Sequence, residues 1–137
     1  MLNMVMITDA DYERLLDFRD GLRHFLHWSE EQAKAAGLTP AQHQLLLAIR
    51  GHGAPPSIGE VAEHLLLRHH SAVELVSRAE RAGLVRRDAD PDDHRVVRLW
   101  LTPEGAASLA ALAAAHLEEL SRLRPRLDVL WKSLPGE

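Results

Sequence analysis

The chain has 137 residues, 46% hydrophobic and 26% charged, which suits one globular domain with a real core. It has no cysteine, which excludes disulfides, thiolate metal sites and cysteine-based redox chemistry. Its net charge of −4 argues at first against nucleic acid. No apolar run approaches the about 20 residues needed to span a bilayer, and the start MLNMVMITDADYE lacks the basic region of a signal peptide. A cytoplasmic protein without membrane contact is expected.

Residues 9–36 read as one long helix. Tyr12, Leu15, Leu16, Leu22, Phe25 and Leu26 recur at helical spacing, Asp9 or Asp11 is the candidate cap, and Gly37 suits the stop. Gly21 inside the pattern is a candidate bend or close approach. The apolar band is wide for one supporting surface. It either packs in the core or, in part, meets a partner chain.

Thr39-Pro40 opens a second helix, with Thr as N-cap and Pro at the first helical position. Leu45 to Ile49 are expected to be largely buried, and the helix ends near Gly51. Ser57-Ile58-Gly59-Glu60 is a capping box before the stripe Ile58, Val61, Ala62 and Leu65. Arg68-His69-His70-Ser71 is the candidate turn. A further helix runs from about 69 to 82, with Ala72, Leu75, Val76 and Ala79 inward and Gly83 at its end.

Residues 84–102 are expected to form a hairpin. Leu84-Val85-Arg86-Arg87 pairs with Val97 to Leu101 around the tip Asp90-Pro91-Asp92-Asp93-His94-Arg95. Val97, Leu99 and Leu101 share one face, Arg98 and Trp100 the other. Thr102-Pro103-Glu104-Gly105 then caps an alanine-rich helix over 103–123. Pro125 is expected to interrupt it and begin a final helix over 125–134.

The expected fold is therefore mainly α with a small β-wing. Helix, turn, helix and a two-stranded wing is a DNA-docking arrangement. Charge is distributed accordingly. Residues 37–102 carry 8 basic and 8 acidic groups, and all eight cations are arginines; the acid excess lies in 1–36 and 103–137. Affinity for DNA would then rest on specific contacts more than on a broad field.

The segment Arg78-Ala79-Glu80-Arg81-Ala82-Gly83-Leu84-Val85-Arg86-Arg87, followed by Asp90, Asp93-His94-Arg95 and Leu101-Thr102-Pro103-Glu104-Gly105, resembles signatures of the multiple antibiotic resistance regulator (MarR) family. Ala79 stands where leucine is usual. The resemblance covers nearly the whole chain in order. It implies a single winged helix-turn-helix domain over 1–137, with 1–36 and 103–137 as dimerisation helices and 37–102 as the DNA-binding lobe. It also implies a homodimer on a pseudo-palindromic operator, commonly a repressor released by a small, often aromatic, acid.

On that reading Arg95 enters a narrow A·T minor groove, where a guanidinium meets concentrated negative potential. Asp93 orients Arg95 or braces Arg78 or Arg98. His69, His70 and Ser71 supply donors to phosphate or base edges at a helix start. Glu74 is the awkward residue. It accepts from cytosine, acts as a negative filter, or forms a capping box with Ser71. Arg78, Arg81, Arg86, Arg87 and Arg98 are candidate phosphate contacts, and Glu80 is expected to balance neighbouring arginines.

The family's pocket position points to His24, Phe25, Trp28 and His43 for an effector. No spacing of the nine histidines shows a metal set, so neither metal nor cofactor is expected. No nucleophile–base pair or phosphate-binding glycine loop suggests an enzyme. The competing expectation is a winged module that binds a protein partner and not DNA.

Overall fold

The computed structural model describes residues 6–134. In chain order it has α1 (Asp9–Ala35), α2 (Pro40–Gly51), α3 (Ile58–Leu65), α4 (His69–Arg81), β1 (Val85–Ala89), β2 (Val97–Leu101) and α5 (Pro103–Ser133). It is mainly helical with one two-stranded antiparallel sheet, as the hydrophobic periods imply.

Local chemistry sets most helix starts. The Thr39 hydroxyl accepts the Gln42 N–H at 3.1 Å while Gln42 accepts the Thr39 N–H at 3.0 Å. Ser57 and Glu60 make the same reciprocal pair. At α1 the cap is Thr8, not Asp9 or Asp11; Asp11 is the third helical residue and returns a bond to the Thr8 N–H. That bond holds the Asp11 carboxyl below the usual carboxylate range, with the Thr8 hydroxyl and Arg14 adding to it.

The core lies where α2, α3, α4, β2 and the first half of α5 converge. Leu45, Leu46, Val61, Val76 and Leu99 are fully enclosed there. Each such side chain contributes roughly 1.5–3 kcal/mol by leaving water. The hairpin pairs Val85 with Leu101 and Arg87 with Leu99. Leu99 thereby faces the core, while its neighbour Trp100 stays exposed beneath the Arg86 guanidinium.

Several expectations change or narrow. Leu47 is exposed, because it lies on the far side of α2 from the core. The apolar band of α1 is not core within one chain: Leu15, Leu16, Leu22 and Leu26 are exposed, and only Ser29 and Ala33 are buried. Gly21 makes no close approach within the chain. Pro125 does not end its helix. The missing N–H removes one rung, and Ser121 and Pro125 both face solvent, so water can take up the freed carbonyl.

The turn between α3 and α4 is also displaced. It occupies Leu66-Leu67-Arg68, and Leu66 adopts the left-handed conformation at φ +55°. Leu67 N–H returns to the Ala62 carbonyl at 2.9 Å and closes α3. An unbroken Leu65-Leu66-Leu67 run conceals this in the sequence.

Candidate nucleic-acid interface

Helix α4 lies close against the lobe because its buried contacts are small: Ala72, Val76 and Ala79. Its opposite face is free. His70, Glu74, Arg78 and Arg81 are exposed there, His69 is exposed at the helix start, and Ser71 is half-buried. His70, Glu74 and Arg78 follow one another at four-residue spacing and form a stripe. Arg68 occupies the N-cap without a side-chain cap bond, so the first-turn N–H groups stay open to an acceptor. The helix begins at His69, which removes the reading of Ser71 and Glu74 as a capping box.

The wing tip is organised by two aspartates. Asp90 Oδ1 accepts the N–H groups of Asp92 at 2.8 Å and Asp93 at 3.0 Å. Asp93 Oδ1 accepts both the backbone N–H and the Nε–H of Arg95 at 3.1 Å. Of the three roles open to Asp93, the geometry selects orientation of Arg95. The Arg95 side chain is 91% exposed and projects from the tip. Its guanidinium, with its backbone N–H, holds the Asp93 carboxyl below the ordinary range. Asp90 is held down first by Arg98 and then by the two backbone donors.

Not every arginine is free. Arg98 donates to Asp90 Oδ2 at 2.8 Å and to Glu60 Oε1 at 3.1 Å, so it is engaged inside the lobe. Arg87 donates to the Ser77 hydroxyl at 3.0 Å, and its Nε lies 3.3 Å from Glu80, close enough for an ion pair but misaligned for a hydrogen bond. Glu80 thus balances an arginine, as expected. Arg86 pairs with Asp88 at 3.0 Å and shares the Trp100 face. That face is opposite the one carrying Leu99 and Arg87, the latter meeting Ser77 and Glu80 of α4. Among the described residues, Arg78, Arg81 and Arg95 are the exposed cations on α4 and the wing tip.

A second cluster lies where α1, α2 and α5 meet. The His116 ring sits 4.8 Å from Trp28 and 4.9 Å from His43, centroid to centroid, with Phe25 at its edge. His116 Nδ1 lies 2.7 Å from the Leu112 carbonyl, which only accepts, so Nδ1 carries the proton. With the proton on Nδ1, the other nitrogen, Nε2, is left as the acceptor of the Ser29 hydroxyl 2.7 Å away when the ring carries one proton. Burial, and secondarily the nearby His116, pushes the His43 imidazole below its usual value. His24 is exposed and stands outside this cluster. Sequence reasoning missed His116. Its one local signal is an isolated imidazole in an alanine-rich helix; its partner Ser29 is 87 residues away.

An apolar groove of about 570 Å³ runs between α1 and the distal half of α5, lined by Phe18, Leu22, Phe25, Leu123, Leu127 and Leu130. Among the described residues no three His, Cys, Asp or Glu side chains are placed to hold a metal ion. No helix of the described residues is long and apolar enough to cross a membrane.

Comparison with known proteins agrees with this arrangement. The model of the MarR family matches residues 36–96. The chain is 30% identical to the HTH-type transcriptional regulator YsmB of Bacillus subtilis, over 83% of this chain and 80% of that one. It is 36% identical to the transcriptional regulator HosA of Escherichia coli, over 65% of this chain and 63% of HosA, so the match spans less than two thirds of that relative. These relatives are regulators, not enzymes. A mutant of S. aureus MepR, solved bound to an oligodeoxyribonucleotide, superposes with a TM-score of 0.70 at 20% identity, covering 95% of this chain and all of that one. At that identity the likeness concerns the fold.

Proposed function

The chain belongs to the MarR family, and from that premise we propose that it is a cytoplasmic, homodimeric, sequence-specific DNA-binding repressor that a small aromatic or anionic effector releases. The observation that carries the DNA reading is the pairing of a free α4 face with an oriented wing-tip arginine. His69, His70, Ser71, Glu74 and Arg78 stand where a major groove would meet α4. Asp93 pre-orders Arg95 for the adjacent minor groove. Arg86, on the other face of the wing, is assigned no base-reading role.

The homodimer is supported by apolar surface that one chain leaves uncovered. Leu15, Leu16 and Leu26 on α1, and Leu117, Val129 and Trp131 on α5, are all exposed, and an apolar groove lies between the same two helices. The effector is supported by the Trp28, His43 and His116 cluster, where aromatic faces and imidazoles suit a flat anion. His24 lies outside that cluster.

Selection of duplexes from a random pool, followed by anisotropy titration against salt, tests the DNA reading. The expected result is preference for a pseudo-palindrome, affinity falling steeply with salt, and weaker binding by Arg95→Ala. A second reading, a protein-binding module, is favoured by the net charge of −4 and by the exposed Glu74 carboxylate on α4. Absence of any preferred duplex would select it.

A further inference from the structure

Between the helical body and the wing runs a continuous line of hydrogen bonds. It begins at His52, just past α2, whose Nε2 lies 2.7 Å from Glu60 Oε2. Because a carboxylate only accepts, this nitrogen carries a proton. In neutral His52 the other nitrogen, Nδ1, then accepts from His64 Nε2 at 2.9 Å. Glu60 Oε1 accepts the Ser57 N–H at 3.0 Å and Arg98 at 3.1 Å. Arg98 continues to Asp90 at 2.8 Å, Asp90 holds the N–H of Asp93, and Asp93 holds Arg95.

The position of these bonds matters. The backbone ties the wing to the segment before α3 at the middle of β2, through Leu99 N–H to the Pro56 carbonyl at 2.9 Å. Among the described residues, the only side-chain hydrogen bond between the tip segment 90–96 and the rest of the chain is the one Asp90 accepts from Arg98. Arg98 is therefore the one polar link between the tip and α3. The Glu60 carboxyl is kept below the ordinary range chiefly by the Ser57 N–H, so it is ionised and able to hold that link at neutral pH.

We propose that Glu60 and Arg98 are positioning residues for minor-groove reading: through Asp90 and Asp93 they hold Arg95 at a set distance and angle from α4. This rests on the DNA-binding reading above. Neither residue needs to touch DNA. Two discrete contacts read by a rigid body require a fixed offset between them, and a tip that swings loses the second contact's contribution to a bound population.

Glu60→Gln isolates the role. Glutamine keeps the capping box with Ser57, so α3 still starts correctly, but the charge that holds Arg98 is gone. Asp90→Asn does the same from the wing side, since its remaining oxygen can still serve the backbone N–H groups of Asp92 and Asp93. The experiment titrates a duplex recovered by selection with wild type, Glu60→Gln, Asp90→Asn, Arg95→Ala and the double variant Glu60→Gln/Arg95→Ala, each checked by thermal unfolding. The expected result is a loss of roughly 3- to 30-fold in affinity for each brace variant. The double variant should bind no more weakly than Arg95→Ala alone, because a displaced arginine and an absent one are equivalent. A merely structural Glu60 would give losses that multiply.

Multiplying losses, or a Glu60→Gln variant that binds like wild type while Arg95→Ala is weakened, overturns the relay and leaves the DNA reading intact. If Glu60→Gln does not fold, Asp90→Asn paired with Arg95→Ala decides by the same criterion. If Arg95→Ala itself binds like wild type, the wing does not read DNA and the relay falls, whereas failure of the selection to yield any preferred duplex is what defeats the DNA reading.

Discussion

Gly105 gives the sharpest test of the packing. It lies in the first turn of α5, against the backbone of Leu84 just before β1. A Cβ built there stands 2.1 Å from the Leu84 carbonyl oxygen and 3.0 Å from its carbon. That is roughly 1.2 Å short of even a close C–H···O approach of about 3.3 Å. The obstacle is backbone, and the same Leu84 oxygen accepts the Thr102 N–H at 3.1 Å. Relief by moving it would break that bond. Overpacking costs about 1–3 kcal/mol and the lost bond about 1 kcal/mol. Exchange of glycine for alanine in a helix returns about 1 kcal/mol. Gly105→Ala should therefore destabilise by about 1–3 kcal/mol, lowering Tm by roughly 3–12 °C. Gly21→Ala is the matched control. Nothing in the chain lies within 4 Å of its Cβ, so the same substitution should stabilise α1 by about 0.5–1 kcal/mol. Urea unfolding at fixed protomer concentration measures both, since self-association would otherwise shift the midpoints. A Gly105→Ala protein as stable as Gly21→Ala would refute the reasoning.

Other outcomes follow from single features. Leu66 is 93% exposed at positive φ, so Leu66→Gly sheds strain without losing packing and should raise stability by roughly 1 kcal/mol in the same unfolding assay. Arg68→Ser supplies the missing α4 cap and should add about 1 kcal/mol of stability. If Arg68 contacts phosphate, the same variant binds DNA more weakly and with a shallower salt dependence. His43 has a depressed pKa in the folded protein, so the unfolded chain binds the proton first. Its contribution to stability is intact above about pH 6.5 and is lost as pH falls from there toward the lowered folded value. His43→Asn should show less acid sensitivity across that window. The carboxylates Asp11, Glu60, Asp90 and Asp93, all held low, should weaken the fold in a separate and more acidic range.

Much of this molecule is legible along the chain, and the legible parts share a physical character. Thr39-Pro40, Ser57 to Glu60 and Thr102-Pro103 declare their helices because a cap involves groups three residues apart. Alternation from Val97 to Leu101 announces the inner face of the wing, and Asp93 and Arg95 are two residues apart and bind each other directly. The turn at Leu66 and the continuity through Pro125 escaped the same reading. In each case the local preference for leucine or proline was overridden by surroundings that the local pattern does not contain.

The candidate site divides in the same way. Arg95 and Arg98 are three residues apart and alike in sequence. The hairpin register decides that one projects from the tip while the other meets Glu60, 38 residues earlier. His116 and Ser29 are 87 residues apart and become partners only because α1 and α5 cross there. The LTPEG turn names Gly105, yet the reason for glycine is the Leu84 carbonyl pressed against it. By itself the sequence determined which segments are helix and strand, where most of them start, and the family to which the pattern belongs, because those depend on short-range hydrogen bonds and hydrophobic period. Only the tertiary structure decided which arginines are free, which histidines meet and where no side chain fits, because each of those depends on atoms brought together by packing from distant parts of the chain.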